Sequence, residues 1–325
     1  SFYKMVSPFI GNKSKSNNRN IQLLEGENVV SDTSKVCDIF NDFFINTTND
    51  LGEPDHLSHM SIQDVVCSYD THESINNIKC SKNCDVNFEF RQVTPEDVFV
   101  KLRRLNIKKS SGYDNIPGKL LKLGAEVLSR SLTPIFNSCF SLSVYPTTMK
   151  RAEVSPIYKN TDTLCKENYR PVSVLTSTSK VFEYMISDQI NEHFSTILSE
   201  ILSAYRKHYS CNNVLLGCIE NWRMALDRGE HVACILMDLS KAFDCLPHGL
   251  LLAKMHAYGF SLNACSFIQS YLSMREQRVK IGSSRSSWQV LKRGVPQGSV
   301  VGPLLFNIFL NDIFYTVTNV NVYNY

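Results

Sequence analysis

Apolar residues recur at helical spacing in SKVCDIFNDFFIN (34–46), where Val36, Ile39, Phe40, Phe43 and Phe44 make one stripe that must dock on something. A second helix is predicted to open at Thr94. Pro95 suits a first helical position, Asp97 can close a capping box, and Val98, Leu102 and Leu105 supply the apolar face. KKSSGYDNIPG (108–118) reads as a basic, turn-rich loop, followed by a helix in KLLKLGAEVLSR with leucines at three and four residues. Alternation predicts a strand in AEVSPIYK (152–159) and a second extended piece in NYRPVS (168–173), restricted by Pro171, with a polar turn between them. From 178 the pattern turns helical, and CNNVLLGCIENWRMALDRG (211–229) is another helix with Gly229 as its stop. HVACILMD (231–238) is a near-continuous apolar run predicted as a strand. Two helices follow (247–258 and 261–273), then a hairpin of REQRVKIG and SSWQVLKRG, then PQGS opening an apolar helix over 298–315, and a closing strand, NVNVYNY.

The first 90 residues look appended. GNKSKSNNRN (11–20) is a polar loop, and residues 50–90 lack periodicity and read as a poorly ordered connector. A length of 325 residues fits two compact units or one with an extension, so the expected division is an N-terminal extension over 1–90 and a main body over 91–325.

The composition, 43% hydrophobic and 20% charged, is enough to bury a core and excludes a wholly disordered or fibrous chain. No stretch approaches a membrane-spanning helix and no cleavable leader is visible, although a chain beginning at Ser1 can start at a fragment boundary. Eleven cysteines, an odd number in mostly apolar surroundings, suit a reducing compartment better than a disulfide framework. Cys80, Cys84 and His72 lack a matching second pair for zinc.

Net charge is +3 but unevenly spread: residues 1–90 carry 7 basic and 13 acidic side chains, 91–159 carry 12 and 5, and 160–325 carry 15 and 13. The middle block, from Lys101 and Arg103 to Lys150 and Lys159, is dense enough to neutralise phosphates, and equally describes a solvated helix face. Asp238, at the end of an apolar run, reads as a loop-start cap or as a carboxylate at a sheet edge where metal sites are built. The order of parts matters more than any one of them. The ordered set is a basic loop, PIYK, NYRP, an acid-tipped strand with an aromatic five residues on, a hairpin and GVPQGS, and template-directed nucleotide addition asks for parts of this kind: carboxylates on a central sheet to hold two Mg²⁺ ions, cations on mobile strands to grip a triphosphate, and a groove for the duplex.

DLSKAFDCLPHGLLLAKMHAYG, SYLSMREQRVKIG and GVPQGSVVGPLLFNIFLNDI resemble a reverse transcriptase of non-LTR (LINE-type) retrotransposons. SSGYDNIPGKLLK, VSPIYK, ENYRPVSVLTSTSKVFEYMI and LSAYRKHYSCNNVL resemble the family's earlier blocks, and residues 21–46 resemble its segment between endonuclease and polymerase. The resemblance implies an α+β right-hand polymerase fold, with fingers and an incomplete palm behind a helical and looped N-terminal extension. It implies an RNA-directed DNA polymerase with RNA template, DNA primer and dNTPs as partners, no membrane and an undefined oligomeric state. Attack of the primer 3′-hydroxyl on a dNTP would be assisted by two Mg²⁺ ions, with pyrophosphate leaving.

Asp238 matches the first catalytic aspartate and metal ligand, helped by the backbone carbonyl of Leu239. Phe243 matches the aromatic gate that excludes a 2′-OH, Lys159 and Arg170 match the cations on the triphosphate, and Gln297 and Gly298 match the residues that pack against the nascent pair. Gly294 and Pro296 shape the turn. Asp244 takes a local capping role, as do Asn311 and Asp312, and His248 a packing or hydrogen-bonding one.

In this family the strand matching NVNVYNY runs into Y-A-D-D, and Tyr325 matches its first letter. The metal site is therefore expected to be incomplete, the thumb absent, and the chain a fragment of a retrotransposon polyprotein that does not polymerise alone. Competing readings are a non-catalytic nucleic-acid-binding remnant and a pseudogene product that folds poorly. By resemblance the protein belongs to a ribonucleoprotein that forms in the cytoplasm and acts on nuclear DNA.

Overall fold

Asp32 accepts the Ser34 N–H at 2.8 Å and so starts helix α1 (Thr33–Asn46), the first helix of a computed structural model that describes residues 21–51, 60–81, 87–159, 161–239, 241–317 and 320–324. A short hairpin, β1 (Leu23–Glu25) and β2 (Asn28–Val30), precedes it. The stripe read from the sequence finds its dock. Val36, Phe40 and Phe44 are buried against Val154, Tyr169 and Val279 of the main sheet.

That sheet is built from β3 (Arg151–Tyr158), β4 (Tyr169–Val174), β5 (Arg275–Ile281), β6 (Ser284–Arg285) and β7 (Gln289–Leu291). β4 pairs antiparallel with β3, β3 runs parallel to β5, and β6 and β7 both pair antiparallel with β5. The expected hairpin over 275–294 is thus present. Pro171 lies opposite Pro156, where each ring removes a ladder donor.

Residues 50–90 differ from the expected connector: α2 (Ile62–Ser68) and α3 (Glu73–Ser81) occur there, and Val65 and Ile78 enter the main core. Both helices are too short to show periodicity, and two buried residues in each suffice to dock them. Cys84 lies outside the described residues, as do 11–20, Asn319 and Tyr325.

The main core gathers α4 (Pro95–Arg104), α5 (Gly118–Leu123), α6 (Ala125–Ser141) and α7 (Ser177–Phe194) with α9 (His248–Ala257), α10 (Leu262–Leu272) and α11 (Gly302–Leu310). Thr94 and Asp97 form the anticipated reciprocal capping box on α4. At its centre Phe136 and Phe182 stack at 4.3 Å.

The helix expected over 298–315 begins later and breaks. Gly298 has φ +112°, α11 starts at Gly302, and α12 (Ile313–Thr316) is separate. At the break Asn311 donates to Tyr258 and Tyr315 and accepts from the Ser199 N–H, while Asp312 pairs with buried Lys254 at 2.6 Å. Asn311 stands at the C-cap position of α11 and Asp312 at the N-cap position of α12, a structural role as expected, with side chains bonded to other elements.

The strand expected over 231–238 is absent. The segment follows α8 (Cys211–Asp227), joins no ladder, and leaves Ile235, Leu236 and Met237 86%, 92% and 88% exposed. An apolar run favours burial, but a strand also needs a neighbour to take its backbone bonds, and among the described residues neither 231–239 nor 320–324 pairs beyond one bridge, Leu202 to Asn324. No helix among the described residues is long and apolar enough to cross a membrane.

Candidate functional site

In the β3–β4 hairpin the Lys159 N–H donates to the Asn168 carbonyl at 2.8 Å, and Ile157 lies opposite Arg170. Opposed residues share a face and side chains alternate along a strand, so Lys159, Ile157 and Arg170 project to one side. Both cations are exposed. The opposite side carries Tyr158 and Tyr169, 5.5 Å apart, and Tyr169 meets Phe40 edge-on at 4.9 Å. Helix α1 therefore covers one face of the hairpin and leaves the two cations on the other.

The PQGS turn is sewn to the next part of β4. The Ser173 N–H donates to the Gln297 carbonyl at 2.7 Å, and a Cβ on Gly298 would stand 2.7 Å from the Ser173 oxygen. No side chain fits there, and the positive φ alone disfavours one. Gly294, φ +75°, is equally confined: a Cβ would meet the Phe243 carbonyl oxygen at 2.5 Å. The Phe243 carbonyl accepts the Val295 N–H at 2.8 Å, and its half-buried ring rests on Phe306 and Tyr205 at 5.2 and 5.7 Å. His248 Nε2 lies 2.7 Å from the Gly294 carbonyl, a hydrogen-bonding role as the sequence suggested.

Two carboxylates hold this turn, one of them given another role by the sequence reading and the other, Glu183, missed by it. Asp244 does not cap a helix; its Oδ2 accepts from Gln297 Nε2 at 3.1 Å, and burial pushes its carboxyl up to about 6 despite that bond and nearby Lys241. Glu183, fully buried in α7, accepts the Val300 N–H at 2.6 Å and the Tyr271 hydroxyl at 3.0 Å, and so grips the turn from beneath. Burial raises its carboxyl too, against the pull of buried Arg275. Its signal was present in the sequence, since Glu183 precedes Ile186 and Ile190 by three and seven residues and thus sits on the apolar face. Asp244 left no such signal, because its partner is 53 residues away.

A cleft beside the turn is lined by Pro171, Ser173, Asp244 and Gln297, together with Phe44 of α1 and Thr48 just past its end. Lys292 and Arg293 line the same cleft. Phe243, Gln297 and Gly298 are thus joined through shared loops, and Lys159 and Arg170 through one hairpin face.

Asp238 and Leu239 are not drawn in. Both are exposed, and among the described residues no hydrogen bond or ion pair ties Asp238 to another site residue. No three His, Cys, Asp or Glu side chains among the described residues gather as a metal site. Asp238, a single exposed carboxylate, does not by itself make the oxygen cage that Mg²⁺ requires.

Residues 157–325 match the sequence model of the family described as reverse transcriptase (RNA-dependent DNA polymerase). The chain is 29% identical over 231 residues to the probable RNA-directed DNA polymerase from transposon BS of Drosophila melanogaster, covering 70% of this chain and 25% of that protein. It is 30% identical over 224 residues to the probable RNA-directed DNA polymerase from transposon X-element of the same fly, covering 67% and 24%. To the RNA-directed DNA polymerase from mobile element jockey, also from D. melanogaster, it is 27% identical over 224 residues, covering 68% and 24%. The chain spans about a quarter of the length of these curated relatives.

Proposed function

The chain belongs to the reverse transcriptase family, among those of non-LTR retrotransposons, and from that premise we propose that it forms the nucleotide-handling part of an RNA-directed DNA polymerase. The observation that carries the proposal is the seam between β4 and the PQGS turn, because it fixes Gln297 beside the hairpin that bears Lys159 and Arg170. In this reading β3, β4 and helices α4 to α7 are fingers, and α9, α10 and α11 belong to the palm. Residues 1–90 are an extension and 91–325 the polymerase body.

Lys159 and Arg170 would grip the triphosphate of a dNTP, the first as a point charge and the second as a fork. Phe243 would stand under the sugar, where a ring leaves no room for a 2′-OH. Gln297 and Gly298 would lie along the new base pair formed between RNA template and DNA primer. The protein would act in a ribonucleoprotein assembled in the cytoplasm and directed to nuclear DNA.

The family is metal-dependent. Asp238 and the Leu239 carbonyl are the ligands this chain would offer Mg²⁺, and one exposed carboxylate does not complete a near-octahedral shell. That observation favours a second reading for the 325-residue chain by itself: it binds nucleic acid without turnover.

Primer extension on an RNA template with dNTPs and Mg²⁺ tests both. We expect no product from the 325-residue chain, and extension when it is continued through the family's Y-A-D-D strand. Asp238→Ala in the longer form should abolish synthesis, and persistent incorporation by that variant would overturn the role of Asp238.

A further inference from the structure

Gln297 is fixed by its backbone on both sides and by its side chain at one point. Its carbonyl accepts the Ser173 N–H at 2.7 Å, the Pro296 carbonyl before it accepts from Ser299 Oγ at 2.8 Å, and Gly298 after it takes a φ of +112°. Beyond Cα the side chain is long and rotatable, and its one hydrogen bond among the described residues runs from Nε2 to Asp244 Oδ2 at 3.1 Å. The other end of the carboxamide, Oε1, has no partner among the described residues.

Asp244 is a firm mount for that bond. Its N–H donates to the Lys241 carbonyl at 2.9 Å, and the preceding Phe243 carbonyl accepts the Val295 N–H at 2.8 Å. Gly294 stands against it, where a Cβ would come within 2.7 Å of both Asp244 Cα and the Asp244 carbonyl oxygen, so no side chain separates the two backbones. His248 Nε2, 2.7 Å from the Gly294 carbonyl, holds the glycine in turn. The loop that carries Asp244 and the turn that carries Gln297 are thus set at a fixed distance, and the side-chain bond between them has a defined geometry to fill.

An ionised carboxylate only accepts hydrogen bonds, whereas a carboxamide has a donor end and an acceptor end. Asp244 in its charged form therefore selects one of the two orientations of the Gln297 amide, with Nε2 turned inward and Oε1 left for a ligand. A protonated carboxyl also donates, and the amide is then free to turn over and offer Nε2 instead. Burial pushes the Asp244 carboxyl up to about 6, while the bond from Gln297 and the charge of Lys241 draw it down, so the amide in its present orientation favours the charged form. The charged groups around Asp244 are Lys241 on its own loop and Lys292 and Arg293 in the shared cleft, and Cys245 is the neighbouring titratable side chain. The residues that α1 and β4 bring to the cleft, among them Phe44, Pro171 and Ser173, are uncharged.

We propose that Asp244 is a positioning residue of the nucleotide site, turning the Gln297 carboxamide so that Oε1 is the atom presented to a hydrogen-bond donor of the incoming nucleotide. This rests on the reading that Gln297 lies along the new base pair, and adds the residue that decides which end of its amide does so. A consequence is pH dependence with a definite sign. Well above pH 6 the carboxylate holds Oε1 toward the nucleotide; as pH falls through that value the amide is released and nucleotide affinity falls with it.

NMR of the full 325-residue chain carrying ¹⁵N-glutamine reads the amide without any turnover, with Gln297→Met identifying its signal by loss. In the parent that side-chain signal should titrate with a midpoint near 6. The titration should vanish in Asp244→Asn, which keeps an acceptor oxygen but cannot ionise, and in Asp244→Ala the signal should move to the position of a free glutamine side chain. Primer extension by the form continued through the Y-A-D-D strand reads the consequence. At pH 8, Asp244→Ala should raise the dNTP KM roughly five- to tenfold, the worth of about one hydrogen bond, and change kcat by less than about twofold. Asp244→Asn should bring KM back to within about threefold of the parent and abolish the extra rise in KM that the parent shows on going from about pH 8 to pH 5.5. The nucleotide titrates alike with both proteins, so that difference belongs to Asp244. A fall in kcat at unchanged KM, a Gln297 signal alike in the parent and Asp244→Ala, or a pH dependence that persists in Asp244→Asn would overturn the proposal, and the last of these holds even where the alanine variant misfolds. Should the longer parent fail to extend a primer while the Gln297 signal still follows Asp244, the polymerase reading falls and the positioning of the amide stands; extension indifferent to Asp244 removes the positioning alone.

Discussion

Asp244 is a carboxyl that folding makes harder to ionise. Its ordinary value is 3.8 and burial pushes it up to about 6, so between those values the unfolded chain binds fewer protons than the folded one. Stability from this group is therefore greatest below about pH 4, falls as pH rises through the folded value, and stays low above it. A difference of about two pH units corresponds to roughly 3 kcal/mol. Asp244→Asn removes the ionisation while its side-chain oxygen can still accept from Gln297 Nε2. The variant should be more stable than the parent at pH 7 by up to about 3 kcal/mol, and about equal to it at pH 4. Urea unfolding at both pH values checks this, and a variant no more stable at pH 7 would show that the carboxyl is not strained there. Gln297 is the partner, so the cost sits where the sequence motif is.

Helix α1 shows what one element contributes and how far its contribution could be read in advance. Phe40 is fully buried, stacked on Phe44 at 5.5 Å and edge-on to Tyr169 at 4.9 Å, and it seals the sheet face opposite the cations. Phe40→Ala should cost about 3–5 kcal/mol, because the rigid strands beneath cannot collapse into the space. A loss below about 1 kcal/mol in urea unfolding would mean that α1 is not seated as described. The helix, its stripe and its need for a dock were legible, since each depends on neighbours three or four residues apart. The dock was not. Asn41, buried within the same helix, donates to the Ser287 carbonyl and accepts from Gln277, partners more than 230 residues away that no periodicity announces. The capping box at Thr94, the β3–β4 hairpin and α7 were read correctly for the same local reason. The run at 231–238 failed for the converse one: its composition is that of a buried strand, but pairing is a property of two segments. In the candidate site, Lys159 and Arg170 were legible as a pair through their motifs, while the Asp244–Gln297 bond and the grip of Glu183 on Val300 exist only in the folded chain.

At the scale of the molecule, the most exposed apolar side chains among the described residues, Ile235, Leu236 and Met237, stand together in one segment. Helix α8 buries none of its residues, leaving Leu215, Leu216 and Ile219 more than half exposed, and the segment after it exposes Ile235, Leu236 and Met237 almost completely. Among the described residues, the hydrogen bonds from α8 to the rest of the chain beyond its own ends are those of Tyr323, which donates to the Gly217 carbonyl at 3.4 Å and bonds to Asn221. Unpaired backbone beside apolar side chains is what a second chain pairs with most readily. The 325-residue chain should therefore bind a hydrophobic dye and associate with rising concentration. Leu216→Lys together with Leu236→Lys should reduce both dye fluorescence and association, with the thermal midpoint changed by no more than about 2 °C, because neither side chain packs in the core. Sedimentation velocity at several concentrations reads association directly. A parent chain that stays monomeric and dye-free at about 100 μM would show that α8 and residues 231–239 are covered in solution, and a large fall in the midpoint of the double variant would show that they pack on the body.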